Sequence, residues 1–139
     1  MQNYVVGFVF STSGDKVLLI EKNRGPDVVV GNYNGVGGEI EGDEQPLEAM
    51  IREAQEEAGL DRVPWDFVIR YAGIDFTLFI FRAFSDTHLE AAASKTDEAV
   101  KVYSTTELPV NIVPNIRWMI PLLLDPNVDI SIIEEKGVK

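Results

Sequence analysis

The sequence predicts a layered α/β or α+β domain that spans all 139 residues as one unit. Several segments are rich in β-branched and aromatic residues, as strands are. Two others, one before Gly59 and one after Pro114, carry apolar residues at helical spacing. Apolar residues make up 45% of the chain, enough to form a buried core at this length. Strands interrupted by helices in this order pack as layers of sheet and helix.

The chain begins with two predicted strands, residues 3–10 (NYVVGFVF) and 16–21 (KVLLIE), joined by the turn sequence STSGD. Residues 22–38 contain five glycines and one proline. Such a composition favours a loop. We expect a short strand near its end, over residues 34–38.

The clearest helix signal follows this loop. Pro46 suits the first helical position, and Gly59 suits the left-handed residue just past the helix end. Apolar residues at helical spacing between them predict the buried stripe of this helix: Leu47, Met50, Ile51, Ala54 and Ala58.

The remaining half of the chain alternates strand and loop patterns before a second helix. In order we predict strands over residues 66–72 and 76–84 joined as a hairpin, a polar loop over 85–98, a strand over 99–103, a short helical turn over 104–107 (STTE, a capping-box pattern), a helix over 114–124, and a final strand within 128–135. Trp118 on the second helix is expected in the core, with a role as a stacking platform for a ligand as the alternative.

Composition excludes several classes of function. The net charge is −11, so the chain lacks the basic stripe that grips nucleic acid. No apolar run approaches the roughly 18 residues that a membrane span needs, and the first residues lack the basic region of a secretory signal. The chain contains no cysteine, which suits a reducing cytoplasm and removes thiolate metal sites.

The negative charge is concentrated around the first predicted helix. The segment 38–60 has Arg52 as its one base and eight acids: Glu39, Glu41, Asp43, Glu44, Glu48, Glu53, Glu56 and Glu57. Like charges three or four residues apart weaken an isolated helix by about 0.2–0.5 kcal/mol per pair. Two interpretations are open, a solvated helix face or a site for a hard cation. In either case Glu53, Glu56 and Glu57 are expected to be accessible at the edge of the buried stripe.

The spacing of this segment favours the cation site. "GEIEGDEQPLEAMIREAQEEAGL" has the form G-x5-E-x7-R-E-U-x-E-E-x-G-U, where U is apolar, and every defined position is filled. The segment therefore resembles the signature box of the Nudix hydrolases. The resemblance implies an α/β/α sandwich with a mixed sheet, in which the box forms a loop–helix–loop and Gly37 and Gly38 approach the substrate. It also implies that Glu53, Glu56 and Glu57 bind a divalent ion, Mg²⁺ or Mn²⁺, whose preferred ligands are oxygens.

The resemblance further implies hydrolysis of a nucleotide phosphoanhydride by attack of water on phosphorus. Arg52 is expected to form a bidentate pair with Glu44, which orients Glu53. The general base is Glu53 or a later acid. Glu98 is our candidate among the later acids, and a solvated loop acid is the alternative.

Two further segments suggest the nucleotide. "NYNGVGG" is similar to the W-N-G-x-G-G segment of the oxidised-purine triphosphatases of the family, and it places Tyr33 and Asn34 at the base. "VPNIRWMIPLLL" is similar to their P-D-D-x-x-W-x-P-L-L-L segment and adds Asn115. An amide can read a purine edge, although Asn34 also suits a turn. Val113 departs from the pattern, because it replaces the aromatic residue that stacks on the base.

The expected activity is therefore hydrolysis of a nucleoside triphosphate, with 8-oxo-dGTP as one candidate, to monophosphate and pyrophosphate. Lys22 and Arg24 are candidates to contact the phosphates, Arg24 the better because its fork suits phosphate oxygens; both also suit ordinary surface positions. The alternatives are a hydrolase of ADP-ribose or another nucleoside diphosphate derivative, and a non-catalytic nucleotide sensor. We expect a monomer or homodimer whose partner is the small-molecule nucleotide alone.

Overall fold

The computed structural model describes residues 1–137. Its elements are, in chain order, β1 Gln2–Phe10, β2 Lys16–Glu21, β3 Tyr33–Asn34, β4 Val36–Glu39, α1 Pro46–Ala58, β5 Asp66–Ala72, β6 Phe76–Phe84, α2 Asp86–Ala91, β7 Val100–Ser104, α3 Ile116–Leu124 and β8 Ile132–Glu134. Across this part of the chain, none of the helices has the length and apolar character to cross a bilayer.

Within residues 1–137 eight strands form one mixed sheet around β1. β1 runs parallel to β6 along its whole length and antiparallel to both β2 and β4. β5 and β6 form the predicted antiparallel hairpin, and β8 adds in parallel beside β5. On the other side of the sheet, β2 carries both β3 and β7. The crossover that places β6 against β1 makes this a layered sheet rather than a simple meander.

Helices cover both faces of the sheet, which confirms the predicted α/β/α sandwich. On one face α1 and the end of α2 pack over a core that includes Val5, Val9 and Phe81. On the opposite face α3 packs over a core that includes Phe8, Phe10 and Ile80. Alternate residues of β1 therefore enter opposite cores, as the two-residue period of a strand requires.

The ends of α1 follow the sequence signals. Pro46 is its first residue, and the Gln45 N–H donates to Glu48 Oε1 at 2.9 Å. Gly59 adopts φ 66° and ψ 28°, and its N–H and that of Leu60 donate to carbonyls of the last turn. Glycine adopts this left-handed conformation without a steric penalty, so it ends the helix where the box pattern places it.

The predicted buried stripe of α1 was wrong at two positions. Leu47 and Ile51 are 47% and 43% exposed, whereas Glu57 is only 6% exposed. The helix is rotated so that Met50 and Ala54 face the sheet together with Glu57. The physical reason lies in β4, where the Gly37 N–H donates to Glu57 and Gly38 leaves room for Glu53.

Other local predictions also need correction. A short helix, α2, lies inside the predicted polar loop, with Ser85 Oγ accepting from the His88 N–H. α2 packs on the core through the partly buried Leu89 and has no fully buried residue, so no apolar periodicity signalled it. Residues 104–107 form a turn in which the Ser104 Oγ accepts from Thr106 N–H, not a helical turn. α3 begins two residues later than predicted, and β8 has three residues.

Trp118 is not in the core. Its side chain is 39% exposed and stacks on Tyr71, with 5.9 Å between ring centroids and 22° between planes. Met119 and Ile120 fill the core positions of this part of α3 instead. A nine-residue helix offers few positions from which to fix its orientation, which explains the error.

Candidate active site

The candidate site lies where α1 packs against β4. A Cβ built on Gly38 would lie 2.7 Å from Glu53 Oε1, and one on Gly37 would lie 2.0 Å from the Val5 carbonyl oxygen. The Gly37 N–H donates to Glu57 Oε1 at 2.8 Å. Gly38 therefore leaves room for the Glu53 carboxylate, whereas Gly37 allows β4 to pack closely against β1 and donates its N–H to Glu57.

Arg52 organises the outer half of this site. Its Nε and Nη2 donate to the two oxygens of Glu44 at 2.7 and 2.9 Å, the bidentate pair that the sequence predicts. Nη1 donates to Glu53 at 2.9 Å and to Glu56 at 3.2 Å. Nη2 also donates to the Glu39 carbonyl at 3.1 Å. One guanidinium thus joins the loop before α1 to the carboxylates of the helix.

These contacts shift the pKa values of the carboxyl groups in opposite directions. The hydrogen bonds from Arg52 lower the pKa of Glu44 to about 2. Burial raises the pKa of Glu53 and of Glu57, because a charged carboxylate loses hydration there. The expected accessibility of all three box glutamates was wrong for Glu53 and Glu57, and only the Glu56 side chain, at 56%, is exposed.

Lys22 organises the inner half of the site. Its Nζ lies 2.6 Å from Glu57 Oε2, 3.5 Å from Glu98 Oε1 and 3.3 Å from the Gly37 carbonyl oxygen. The Asn23 N–H donates to the other oxygen of Glu98 at 2.8 Å. Glu98 is 4% exposed, so it is a buried member of the network around the box and not a solvated loop acid.

The sheet brings Lys22 and Glu98 together. β2 and β7 pair antiparallel through Ile20 and Val100, and two more residues along each strand lead to this ion pair. Arg24, which the sequence favoured over Lys22 as a phosphate contact, pairs instead with Asp97: its Nη2 lies 2.5 Å from Oδ1, and both side chains are about two-thirds exposed. Lys22 directly follows β2, and Glu98 lies just before β7, so the antiparallel pairing of these two strands was the signal that could have favoured Lys22.

The candidate base-reading residues lie outside this network of direct contacts. Tyr33 is buried, with its ring edge-on to Tyr103 at 5.1 Å. The half-buried Asn34 accepts from the Gly35 N–H at 2.8 Å through its amide oxygen, as a turn residue does. Asn115 precedes α3 and is also half-buried. Asn34 is close to the box in sequence, because it lies four residues before Gly38.

The side chains at the site suit a divalent cation in their chemistry. Glu53, Glu56 and Glu57 offer oxygen ligands only, and Gly38 leaves room for Glu53 where a Cβ would collide with it. Between residues 1 and 137 no three acidic or histidine side chains are already gathered as a metal cage. Arg52 and Lys22 engage the carboxylate oxygens instead, so a metal ion has to compete with these two cations.

The comparisons with known proteins agree with this architecture. The family model described as NUDIX domain matches residues 1–123. The mutator MutT protein of Bacillus halodurans superposes with a TM-score of 0.70 at 19% identity, covering 99% of this chain and 92% of that one. A MutT structure from work on Aliivibrio salmonicida and Vibrio cholerae gives 0.67 at 17% identity, covering 86% and 97%. A NUDIX-family hydrolase of Clostridium perfringens gives 0.66 at 25% identity, covering 89% and 98%.

The family match covers most of the chain, including β4, α1 and their glycine–carboxylate contacts. The structural neighbours reproduce the sheet and its helix layers. Members of the family generally use divalent cations, which agrees with the oxygen-only ligands of α1. The chain belongs to the Nudix family and is a hydrolase acting on phosphoanhydride bonds of nucleotides.

Proposed function

We propose that the protein is a Mg²⁺-dependent pyrophosphohydrolase that cleaves a nucleoside triphosphate to a monophosphate and pyrophosphate. The observation that supports it most directly is the approach of Glu53 and Glu57 to the backbone of Gly37 and Gly38. Glu56 stands beside them on α1 and supplies the exposed carboxylate. Mn²⁺ has the same preference for oxygen and is expected to substitute for Mg²⁺.

In the reaction, water transfers its oxygen to phosphorus and one proton to a carboxylate. The oxygen of water forms a bond to phosphorus, the bond from that phosphorus to the oxygen of the leaving pyrophosphate breaks, and a carboxylate takes the proton. Bound Mg²⁺ supplies neutralisation of the phosphate charge and a lower pKa for water. Glu53 suits the role of base because burial raises its pKa, and Arg52 fixes its direction through a 2.9 Å hydrogen bond.

Glu98 is the second candidate for the base. The hydrogen bond from Asn23 fixes one of its oxygens, and the other faces Lys22. Glu53 is preferred because it lies on α1 among the other box carboxylates, 2.9 Å from Arg52. Replacing Glu53 is therefore expected to remove the acid limb of the pH–rate profile, whereas replacing Glu98 keeps it.

We propose an oxidised purine triphosphate such as 8-oxo-dGTP as the substrate to test first, read by Asn34 and Asn115. ADP-ribose or another nucleoside diphosphate derivative is the alternative. It is favoured by Val113, which is buried and offers no aromatic ring to a base, and by the burial of Tyr33. A non-catalytic sensor is less favoured, because all three box glutamates are retained.

A hydrolysis panel with Mg²⁺ tests the substrate: 8-oxo-dGTP, the normal deoxynucleoside triphosphates and ADP-ribose, with both products identified. We expect the highest kcat/KM for 8-oxo-dGTP with release of pyrophosphate, and a loss of that preference in Asn34→Ala and Asn115→Ala proteins. A higher kcat/KM for ADP-ribose would replace this substrate class by the alternative one.

A matched pair of variants tests the metal-binding glutamates. Glu56→Gln should lower kcat by more than about 100-fold, since partners outside the ligand set already cost 10–100-fold. Glu56 is the most exposed of the three, so its replacement is the least damaging to the fold. Glu90→Gln changes an exposed carboxylate of α2 and should leave kcat unchanged. Full activity of the Glu56→Gln protein would remove Glu56 from the ligand set.

A further inference from the structure

The ammonium group of Lys22 sits among three oxygens in a nearly closed space. Glu57, Glu98 and the Gly37 carbonyl surround it, and the Lys22 side chain is 12% exposed. We propose that Lys22 is an internal counter-cation, which neutralises Glu57 and Glu98 before the divalent ion binds and is displaced from Glu57 when that ion binds. The inference rests on the proposed function, in which Glu57 is a metal ligand.

The hydrogen bonds of the two carboxylates carry the argument. In Glu57 one oxygen accepts from the Gly37 N–H, and in Glu98 one oxygen accepts from the Asn23 N–H, both at 2.8 Å. Neither group can turn without breaking its backbone hydrogen bond. The second oxygen of each group faces Lys22 Nζ. The Glu57 oxygen that remains for a metal ion is therefore the one that Lys22 engages at 2.6 Å.

Charge gives the reason for such a residue. Two buried carboxylates without a positive partner are costly, and the lysine supplies that partner when no metal ion is bound. A divalent ion bound by Glu57 would repel the ammonium and compete with it for the Glu57 oxygen. Lysine suits this exchange, because its flexible stem can swing a compact charge away, whereas Arg52 is fixed by its bidentate pair with Glu44.

The side-chain nitrogen of Lys22 can be followed directly in the wild-type protein by NMR with ¹⁵N-labelled lysine. The Lys22→Arg protein assigns the Lys22 signal by its loss. Saturating Mg²⁺ should shift or broaden this signal and leave that of Lys16, exposed at the opposite end of β2, unchanged. A Lys22 signal that stays in place at Mg²⁺ saturation would show a permanent ion pair and overturn the proposal.

Metal affinity provides the second test. The Lys22→Met protein should bind Mn²⁺ more tightly than wild type in calorimetry, because no ammonium competes for Glu57. We expect a roughly tenfold difference, which is within the usual range for coupled binding events. The control Lys16→Met removes a charge from the same strand and should bind as wild type does. Equal or weaker binding to Lys22→Met overturns the displacement and leaves the metal site standing.

The proposed function fails in a different way. If wild-type protein and both variants all bind no Mn²⁺, the metal site itself is wrong, and the exchange falls with it. Should Lys22→Met fail to give a cooperative unfolding transition, the NMR experiment on the wild-type protein decides alone.

Discussion

Arg52 donates hydrogen bonds to Glu44, Glu53 and Glu56 through one planar fork. Lysine keeps the charge and cannot make the bidentate contact, so Arg52→Lys should misplace the helix carboxylates. We expect kcat to fall by about 10–100-fold, as it does when the residues that orient metal ligands are replaced. Steady-state kinetics with Mg²⁺ measures this fall in kcat. Arg62→Lys, an exposed change just past α1, is the control, and equal kcat in the two variants would contradict the role.

The ion pair between Glu44 and Arg52 should make the stability of the fold depend on pH. Its pKa falls from the ordinary 4.5 to about 2 in the folded protein through the hydrogen bonds from Arg52. A lowered folded-state pKa stabilises the fold above the unfolded value of 4.5, and this contribution is lost as the pH falls towards 2. The free energy of unfolding of Glu44→Gln should therefore decrease less with acid across this window than that of wild type.

Urea denaturation at a series of pH values between about 5 and 2 measures this difference in slope. Glu90→Gln is the control. It removes an exposed carboxylate of α2, away from Arg52, and should keep the wild-type slope. Parallel curves for Glu44→Gln and wild type would mean that the pair contributes nothing to acid stability.

At the scale of elements, two adjacent glycines of β4 serve different contacts. A Cβ on Gly37 would meet the β1 backbone at Val5, which cannot move without opening the sheet. Gly37→Ala should therefore lower the free energy of unfolding by about 1–3 kcal/mol or more. A Cβ on Gly38 would meet only the end of the Glu53 side chain. Gly38→Ala should keep near-native stability and lose activity, so Tm and kcat measured together separate the two.

The orientation of α1 predicts that its buried and exposed apolar residues contribute unequally to stability. Met50 is fully buried against the sheet, whereas Leu47 and Ile51 are nearly half exposed. Met50→Ala should cost about 2–5 kcal/mol of stability. Leu47→Ala and Ile51→Ala should cost far less, near the 0.5 kcal/mol or so that is typical of surface sites. Chemical denaturation compares them, and a large loss at Ile51 would indicate that this edge of α1 is covered in solution.

The box residues of α1 could be located from the sequence because their spacing along one helix already encodes their geometry. Pro46 and Gly59 mark the helix ends through the conformations these residue types prefer, and Arg52 donates to Glu44 as predicted. The pairing of Lys22 with Glu98 could not be read in the same way, since it depends on the register of β2 with β7. The same holds for β6 beside β1, which only long-range packing decides.

At the scale of the whole molecule, charge links the site to stability. The chain carries a net charge of −11, and burial raises the pKa of Glu53 and Glu57, so their ionised forms cost free energy in the folded state. A cation that binds these groups only when the protein is folded must stabilise it. The gain is about 2.7 kcal/mol when free Mg²⁺ exceeds its Kd a hundredfold.

Thermal unfolding with Mg²⁺, with NaCl at equal ionic strength, and with Mg²⁺ plus a chelator measures this gain. We expect a rise in Tm with Mg²⁺ that the chelator abolishes and that is smaller in Glu56→Gln protein. NaCl screens the general repulsion but cannot be held by the carboxylates of α1 as a divalent ion is. Equal rises in the two salts would therefore mean that the acidic face of α1 acts only through net charge, and that no ion is bound there.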